Sequence, residues 1–259
     1  NMVLQQQKPI TLWGWAEPGT AVNVTLTQNA TLGQAVANKL GKTPDANEGN
    51  GEYSVTMRYV EKNPPKLETQ TLKTKAGNDG HWTVKFPPAK ASFQPTWIIA
   101  ESDKQMAVVQ NVLIGEIWIC AGQSNMGWGN FNRKDREAAS ADFPGLRYIA
   151  WEDSWYKPLA DIRKNISWQE CSPQTAQRFS AVPYLYGTFL HRYLKVPVGI
   201  INVARGGTLG QTWCLREELD TIDNKLMKTV LAKHDAETAV WDDSKKVATL
   251  MAEWEKACD

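Results

Sequence analysis

Two compact apolar runs in the second half of the chain each lead into a glycine turn. The first, EIWIC (116–120), is followed by Gly122, and the second, PVGIINVA (197–204), is followed by Gly206. Apolar runs of this length are typical of strands that are buried on both faces, as in parallel sheets. Between them, SAVPYLYGTFLHRYLK (180–195) has apolar residues at helical spacing. Strand, helix and strand in this order predict an α/β architecture with a parallel sheet.

The first part of the chain has a different pattern. Short stretches such as AVNVTLT (21–27) alternate apolar and polar residues between turns rich in glycine, proline and asparagine. This period predicts half-buried strands, and a series of them predicts an antiparallel β-sandwich. The strands are expected at 10–16, 21–27, 52–60, 80–86, 96–102 and 106–114. We therefore predict a β-sandwich domain over residues 1–112 and an α/β domain over residues 113–259.

Charge and cysteine content exclude several classes of function. The chain has 259 residues and a formal net charge of +1, which gives no electrostatic footprint for nucleic acid or an anionic membrane. No apolar run approaches the about 20 residues that a membrane helix needs. The four cysteines form no C-x-x-C pair, so zinc and redox motifs are absent, while free thiols and disulfides both fit the sequence. These cysteines are Cys120, Cys171, Cys214 and Cys258.

The polar residues after the first glycine turn point to nucleophilic chemistry. Gln123, Ser124 and Asn125 follow Gly122 in a row. A serine hydroxyl needs exposure, a general base and hydrogen-bond donors for the oxyanion that its attack creates. A glycine turn supplies exposure, and a helix that begins just after Ser124 would direct free N–H groups at the reacting carbonyl oxygen. A polar turn with a capping serine also fits these residues.

The second glycine turn is expected at the same edge of the sheet. Ligands of parallel α/β sheets bind outside the carboxyl ends of the strands, so Gly206 should lie near Ser124 and offer a second backbone N–H. Arg205, which precedes it, has two interpretations. It is either an ordinary surface arginine or a guanidinium that pairs with a substrate carboxylate in two-point geometry.

Three blocks of the chain resemble a known family. NVLIGEIWICAGQSNM (111–126) is similar to the signature of sialate O-acetylesterases and related carbohydrate acetylesterases of the SGNH hydrolase superfamily. The stretch 1–19 resembles their N-terminal segment, and 196–213 resembles their second block, in which Arg205 replaces the usual tryptophan. The resemblance implies a flavodoxin-like SGNH hydrolase domain, with a parallel sheet and helices on both faces, behind an N-terminal antiparallel β-sandwich.

The resemblance also implies a reaction and the residues that perform it. The expected reaction is hydrolysis of O-acetyl esters on sugars, of the sialic acid or polysaccharide type, without metal or cofactor. Ser124 is implied as the nucleophile that forms an acetyl-enzyme, with the backbone N–H groups of Ser124 and Gly206 as oxyanion donors. The residues expected to order the turn or bind the substrate are Gln123, Asn125, Arg205 and Gly207. The family's usual substrates imply a secreted or periplasmic protein.

Two motifs of the family are missing from the chain: a Gln-Gly-Glu-x-Asn block, and a late Asp-x-x-His that supplies the general base. None of His81, His191 and His234 has an aspartate three residues before it. The chain is therefore expected to be a trimmed N-terminal portion, completed by a second chain or a C-terminal segment. The alternative is a non-catalytic carbohydrate-binding module with a degenerate hydrolase half.

Overall fold

The computed structural model describes residues 1–40, 67–129, 141–151 and 166–258. The strands in these ranges are β1 (Val3–Gln5), β2 (Ile10–Trp15), β3 (Ala21–Thr27), β4 (Gln70–Lys75), β5 (His81–Phe86), β6 (Ser92–Glu101), β7 (Met106–Gly122), β8 (Phe143–Trp151), β9 (Gln169–Cys171) and β10 (Val198–Ala204). The helices are α1 (Ala30–Lys39), α2 (Ser124–Gly127), α3 (Ala181–Leu194), α4 (Arg216–Asp220), α5 (Lys225–Thr238) and α6 (Ser244–Cys258). Short 3₁₀ turns lie at Ala176–Arg178, Gly210–Trp213 and Ala239–Asp242. The strand predicted at 52–60 lies outside the described residues.

One long strand, β7, belongs to both halves of the fold. Its first part pairs antiparallel with β6, and its second part pairs in parallel with β10 from Glu116 to Gly122. The main sheet has the order β4-β3-β6-β7-β10-β8-β9, and β1 pairs with β7 beside this path. The α/β architecture is confirmed, with β7, β10 and β8 parallel to one another. The boundary predicted after residue 112 falls inside β7 and stays a prediction.

The N-terminal strands form two sheets around one core. β2 and β5 pair antiparallel as a separate two-stranded sheet, and their alternate residues point inward onto β3, β6 and β7. The buried core residues are Ile10, Val22, Val24, Leu26, Ala76, Trp82, Val84, Phe86, Ile98, Val112 and Ile114. The finer assignment, a β-sandwich domain next to a flavodoxin-like SGNH domain, stays a prediction.

Helix α3 packs against β10 and β8 with a face that its apolar spacing did not predict. The apolar residues at helical spacing are Val182, Leu185, Tyr186, Phe189, Leu190 and Tyr193. Four of them, Val182, Leu185, Phe189 and Tyr193, are 48–74% exposed. The buried residues are Pro183, Tyr184, Gly187, Thr188 and His191. Gly187 explains the difference, because a Cβ atom there would lie only 2.9 Å from side-chain atoms of Ile200 and Leu146. The small residue allows close approach to the sheet, and that contact sets the rotation of the helix.

The helices described by the structure include none that is both long and apolar enough to cross a membrane. The apolar residues from residue 220 onward predict an amphipathic helical tail with one apolar face, and this part forms α5 and α6. Its predicted apolar face is open to solvent at Leu250, Met251 and Trp254, which are 44–63% exposed. The stretch RKDREAAS (133–140) also predicts a helix, but it lies outside the described residues.

Candidate active site

Ser124 lies where β7 leaves the sheet. The strand ends at Gly122, and Ser124 is the first residue of the one-turn helix α2. The residue is exposed rather than packed in the core. The carbonyl oxygen of Gln123 closes the turn by accepting hydrogen bonds from Met126 N (2.9 Å) and Gly127 N (3.2 Å). Because α2 has only four residues, few peptide dipoles add up, and the helix dipole expected from the sequence contributes little.

Gly206 lies directly beside Ser124. β10 ends at Ala204, in register with Gly122 of β7. The N–H of Arg205 then donates to the carbonyl oxygen of Gly122 at 3.0 Å, which extends the pairing into the turn. A Cβ atom built on Gly206 would lie 3.7 Å from the Cβ atom of Ser124. The parallel pairing thus brings two turns that are distant in sequence to one edge of the sheet.

Two backbone N–H groups at this edge, those of Ser124 and Gly206, have no hydrogen-bond acceptor among the described residues. Ser124 is at the first position of α2, where the N–H has no acceptor within the helix. None of the hydrogen bonds between described residues uses the N–H of Ser124 or of Gly206. Backbone N–H groups next to a nucleophile stabilise the oxyanion of an acyl-transfer reaction. The edge therefore has a hydroxyl and two donors of the kind that such a reaction requires.

Gln123 connects the two turns. Its Nε2 donates to the carbonyl oxygen of Thr208 at 2.6 Å. The hydroxyl of Thr208 donates to the carbonyl oxygen of Arg205 at 2.9 Å and accepts from Trp213 Nε1 at 3.0 Å. This chain of bonds holds the Arg-Gly-Gly-Thr turn in place beside Ser124. No role was predicted for Thr208, because its position in the Arg-Gly-Gly-Thr turn was the only feature that distinguished it in the sequence.

The other predicted site residues, Asn125, Arg205 and Gly207, are the chain neighbours of Ser124 and Gly206 in the two turns. All three are exposed. Gly207 has φ +76°, and a Cβ atom there would meet no atom within 4 Å. The site is therefore an open surface at the edge of the sheet in the part of the chain that the structure describes.

A buried polar network lies beneath this surface. Asn202, in β10, is 3% exposed, and its Nδ2 donates to the hydroxyl of Tyr148 (2.7 Å) and to Oγ of Ser180 (3.0 Å). The N–H of Ser180 also donates to the Tyr148 hydroxyl at 3.1 Å. Next along the chain, Ala181 N donates to the carbonyl oxygen of Trp128, just after α2. The network joins β8, β10 and the start of α3 to the segment that carries Ser124, and residue patterns gave no sign of it.

No hydrogen bond between described residues joins a histidine to Ser124. His191 is 2% exposed, and its Nδ1 bonds to the carbonyl oxygen of Val196 at 2.8 Å. Burial lowers the pKa of His191, which favours the neutral ring. His81 contacts Trp15 in the N-terminal sheets, and His234 lies in the exposed helix α5. The described residues therefore contain no evident general base for Ser124.

Burial limits the reactivity of two cysteines, Cys120 and Cys171. Among the described residues, Cys120, Cys171 and Cys214 are free thiols. Burial raises the pKa of Cys120 and raises that of Cys171 to about 12, so both remain protonated at neutral pH. No group of three or more His, Cys, Asp or Glu side chains suited to a metal ion lies within the described ranges.

The chain is similar to esterases that act on carbohydrates. It is 25% identical over 233 residues to sialate O-acetylesterase of Mus musculus, an alignment that covers 84% of this chain and 36% of the relative. Sialate O-acetylesterase of Homo sapiens is 25% identical over 228 residues, with 82% and 37% covered. The crystal structure of a carbohydrate acetylesterase from Xanthomonas citri matches with a TM-score of 0.64 and 25% identity, covering 85% of this chain and 41% of that one. No protein-family model matches the chain.

These similarities confirm the resemblance to sialate O-acetylesterases and related carbohydrate acetylesterases. The match covers most of this chain, including β7, β10 and the turns that follow them. The chain spans only 36–37% of the length of these curated relatives. The activity of the whole protein is therefore a matter for proposal.

Proposed function

We propose that this chain, a relative of sialate O-acetylesterases and carbohydrate acetylesterases, is the nucleophile-bearing portion of a serine esterase that removes O-acetyl groups from sugars. The observation that carries the proposal is the exposed Ser124 beside Gly206, with the two backbone N–H groups unused. Such a site suits acyl transfer through a covalent intermediate. Its substrates would be extracellular glycans, so the protein is secreted or periplasmic in this proposal.

The proposed reaction has two steps. Oγ of Ser124 attacks the acetyl carbonyl carbon while its proton passes to a general base, and the N–H groups of Ser124 and Gly206 hold the oxyanion. The sugar hydroxyl leaves with a proton, and an acetyl-enzyme remains. Water then attacks the acetyl carbonyl while it gives a proton to the base, the bond between the acetyl carbon and Oγ of Ser124 breaks, Oγ takes the proton back, and acetate leaves. The loss of one oxyanion donor typically costs about 3 kcal/mol of transition-state stabilisation, and no step uses a metal or cofactor.

The general base comes from outside this chain in our proposal. A base must approach within hydrogen-bond distance of the hydroxyl, and the described histidines do not bond to Ser124. A C-terminal segment of the longer protein, or a second chain, supplies it. The additional length of the curated relatives supports this reading.

A direct test compares the esterase activity of this 259-residue chain with that of the longer protein encoded by the complete gene. We expect the longer protein to release acetate from 4-nitrophenyl acetate and from O-acetylated sugars, and Ser124→Ala to abolish both. Ser167→Ala, at another exposed serine, is the matched control and should retain activity. A fluorophosphonate should label Ser124 in the longer protein. An unlabelled Ser124 in that protein would refute the esterase proposal.

The proposed substrate class includes acidic sugars because Arg205 is exposed next to the nucleophile. A guanidinium matches the carboxylate of a sialic or uronic acid in bidentate geometry. Arg205→Ala should then reduce kcat/KM for acidic acetylated sugars more than for neutral ones. An equal loss on both classes would exclude this pairing.

The absence of a described base favours a second candidate function, a carbohydrate-binding module with a degenerate hydrolase half. This alternative predicts that the parent coding sequence contains no Asp-x-x-His after residue 259. It also predicts binding of acetylated glycans without acetate release. Binding by calorimetry, measured alongside acetate release, separates the two functions.

A further inference from the structure

The outer face of the two-stranded sheet formed by β2 and β5 has two exposed tryptophans. Alternate residues of these strands point inward to the core of the N-terminal sheets, and the others point outward. The outward residues are Thr11, Trp13 and Trp15 on β2 and His81, Thr83 and Lys85 on β5. Trp13 is 60% exposed and Trp15 is 52% exposed. Because tryptophan is highly buried on average, two half-open rings on one short strand need a physical reason.

The backbone beneath the two rings is fixed by close packing. Gly14 lies between them in sequence and faces the core, where an added Cβ atom would lie 2.6 Å from the indole of Trp82. Trp82 is 8% exposed and belongs to the buried core. The lack of a side chain at position 14 therefore lets β2 lie directly on this indole. Trp13 and Trp15 thus extend outward from a strand that packs tightly on its other face.

The two outward indoles form a row along β2, called here the tryptophan row. Residues two apart in a strand point to the same face and are about 6.6 Å apart. Trp15 makes an edge-to-face contact with His81, with ring centroids 5.8 Å apart and ring planes at 71°, which restricts its rotation. Trp13 lies opposite Thr83, whose hydroxyl donates to the carbonyl oxygen of Leu12 at 3.2 Å. Neither outward indole N–H has an acceptor among the described residues.

The tryptophan row has the chemistry that sugar rings require. A pyranose presents C–H groups on its faces, which pack on a flat aromatic ring, and hydroxyl groups around its edge. The indole N–H groups of Trp13 and Trp15 can donate to these hydroxyls, and so can the exposed Lys85, which lies opposite Thr11. The six outward residues include no aliphatic side chain. The face is therefore aromatic and polar rather than uniformly apolar.

The exposed aromatic area is too small for a stable contact with another protein. A tryptophan buries about 150–250 Å² when it is fully covered, so two rings with this exposure offer roughly 300 Å² at most. A standard protein interface buries about 800 Å² on each partner. The tryptophan row therefore suits a narrow ligand, such as a single polysaccharide chain, better than a second copy of this chain.

The tryptophan row is separate from the Ser124 site. The sheet that carries it packs on Val112 and Ile114 of β7, whereas Ser124 follows the other end of that strand. The stretch of β7 from Ile114 to Gly122 spans about 26 Å at about 3.3 Å per residue. A sugar unit on the tryptophans is therefore a different unit from one that reacts at Ser124.

We propose that the tryptophan row binds the sugar rings of a polysaccharide chain. The similarity of the chain to carbohydrate acetylesterases supports a glycan as the ligand. The proposal goes beyond the esterase site, because this binding site works independently of Ser124. A polymer held at the tryptophan row has its acetyl groups at a high effective concentration near the same molecule.

Affinity electrophoresis of the longer protein, in native gels that contain xylan or pectin, tests the proposal without relying on activity. We expect both polysaccharides to retard the wild type and Ser124→Ala equally. Trp13→Ala and Trp15→Ala should each weaken binding by about tenfold. Trp254→Ala, at a 63% exposed tryptophan of α6, is the matched control and should bind as the wild type does.

Two further variants separate stacking on a flat ring from general apolar contact. Trp13→Phe keeps an aromatic ring and should lose less affinity than Trp13→Leu, which keeps apolar surface without a flat face. The melting temperatures of both variants should equal that of the wild type, because Trp13 is mostly exposed. In NMR spectra, addition of xylo-oligosaccharide should shift the indole N–H signals of Trp13 and Trp15 and leave that of the buried Trp82 unchanged.

Several outcomes would overturn the proposal. These are a lack of retardation by either polysaccharide, retardation that both alanine variants retain, and equal losses in Trp13→Phe and Trp13→Leu. A dimeric wild type that Trp13→Ala makes monomeric would assign the face to a second copy instead. An inactive longer protein that binds xylan through Trp13 and Trp15 would refute the esterase and leave this inference intact, and an active one that binds neither polysaccharide would do the reverse.

Discussion

Ser124 and Gly206 are neighbours across the ends of two parallel strands, and a methyl group at position 206 would lie 3.7 Å from Cβ of Ser124. Gly206 is not among the glycines with positive φ, so alanine fits its backbone. We therefore expect Gly206→Ala to keep the fold but to crowd the nucleophile and its N–H donors. Fluorophosphonate labelling of Ser124 in the longer protein should slow by about 10–100-fold, which corresponds to about 1–3 kcal/mol.

Gly210→Ala is the matched control for this prediction. A Cβ atom there would meet nothing within 4 Å, and its φ is not positive. Its labelling rate and melting temperature should equal those of the wild type. Equal labelling rates for both alanine variants would contradict a role for Gly206 at the site.

Gly207 should tolerate substitution less well than its open surroundings suggest. Its φ of +76° is in the left-handed region, although an added Cβ would touch nothing. Gly207→Ala should lower the free energy of unfolding by about 1–2 kcal/mol, and Gly207→Asn by less, because asparagine adopts this conformation more readily. Urea titration checks both values, and a neutral Gly207→Ala would contradict the expected backbone strain.

Substitution of Gln123 should affect the labelling rate of Ser124 more than the free energy of unfolding. Its hydrogen bond to Thr208 links the two turns but is exposed, so Gln123→Ala should cost at most about 1 kcal/mol of unfolding free energy. Loosening of the turn should nevertheless slow Ser124 labelling. Gln34→Ala removes a comparable exposed bond, to Asn38 within α1, in the N-terminal part of the fold. A matching loss of labelling in that control would show that the effect is not local.

The three described thiols should differ in their rate of alkylation according to their burial. Cys214 is exposed, while burial raises the pKa of Cys120, and raises that of Cys171 to about 12. Iodoacetamide at pH 8 should therefore label Cys214 rapidly in the folded chain, and the other two only after urea is added. Mass spectrometry of tryptic peptides measures the alkylation of each cysteine. A disulfide involving any of the three would contradict the described structure.

His191 should make stability depend on pH below neutrality. Burial lowers its pKa in the folded chain below the about 6.5 of an unfolded histidine. The unfolded chain then binds more protons, so the stabilisation is complete above about pH 6.5 and is lost as pH falls toward the folded pKa. His191→Asn should flatten the unfolding free energy between pH 7 and pH 5 relative to the wild type. His234→Asn, at an exposed residue of α5, should retain the wild-type slope.

Local patterns in the sequence were sufficient to predict several elements and the proximity of the two glycine turns. The alternation in 21–27 and the apolar run in 197–204 correspond to β3 and β10 almost residue for residue. The ends of parallel strands meet at one edge of a sheet. Two glycine turns after two buried strands therefore imply the proximity of Ser124 and Gly206 from the sequence alone.

Only the tertiary structure decided the features that depend on contacts between distant residues. The buried face of α3 was set by the contact of Gly187 with β10 and β8, where a small residue permits an approach that larger apolar residues prevent. The bond from Gln123 to Thr208 was equally hidden from local patterns. Periodicity along a chain reports which side chains share a face, whereas the choice of neighbouring strand and helix depends on packing between segments far apart in sequence.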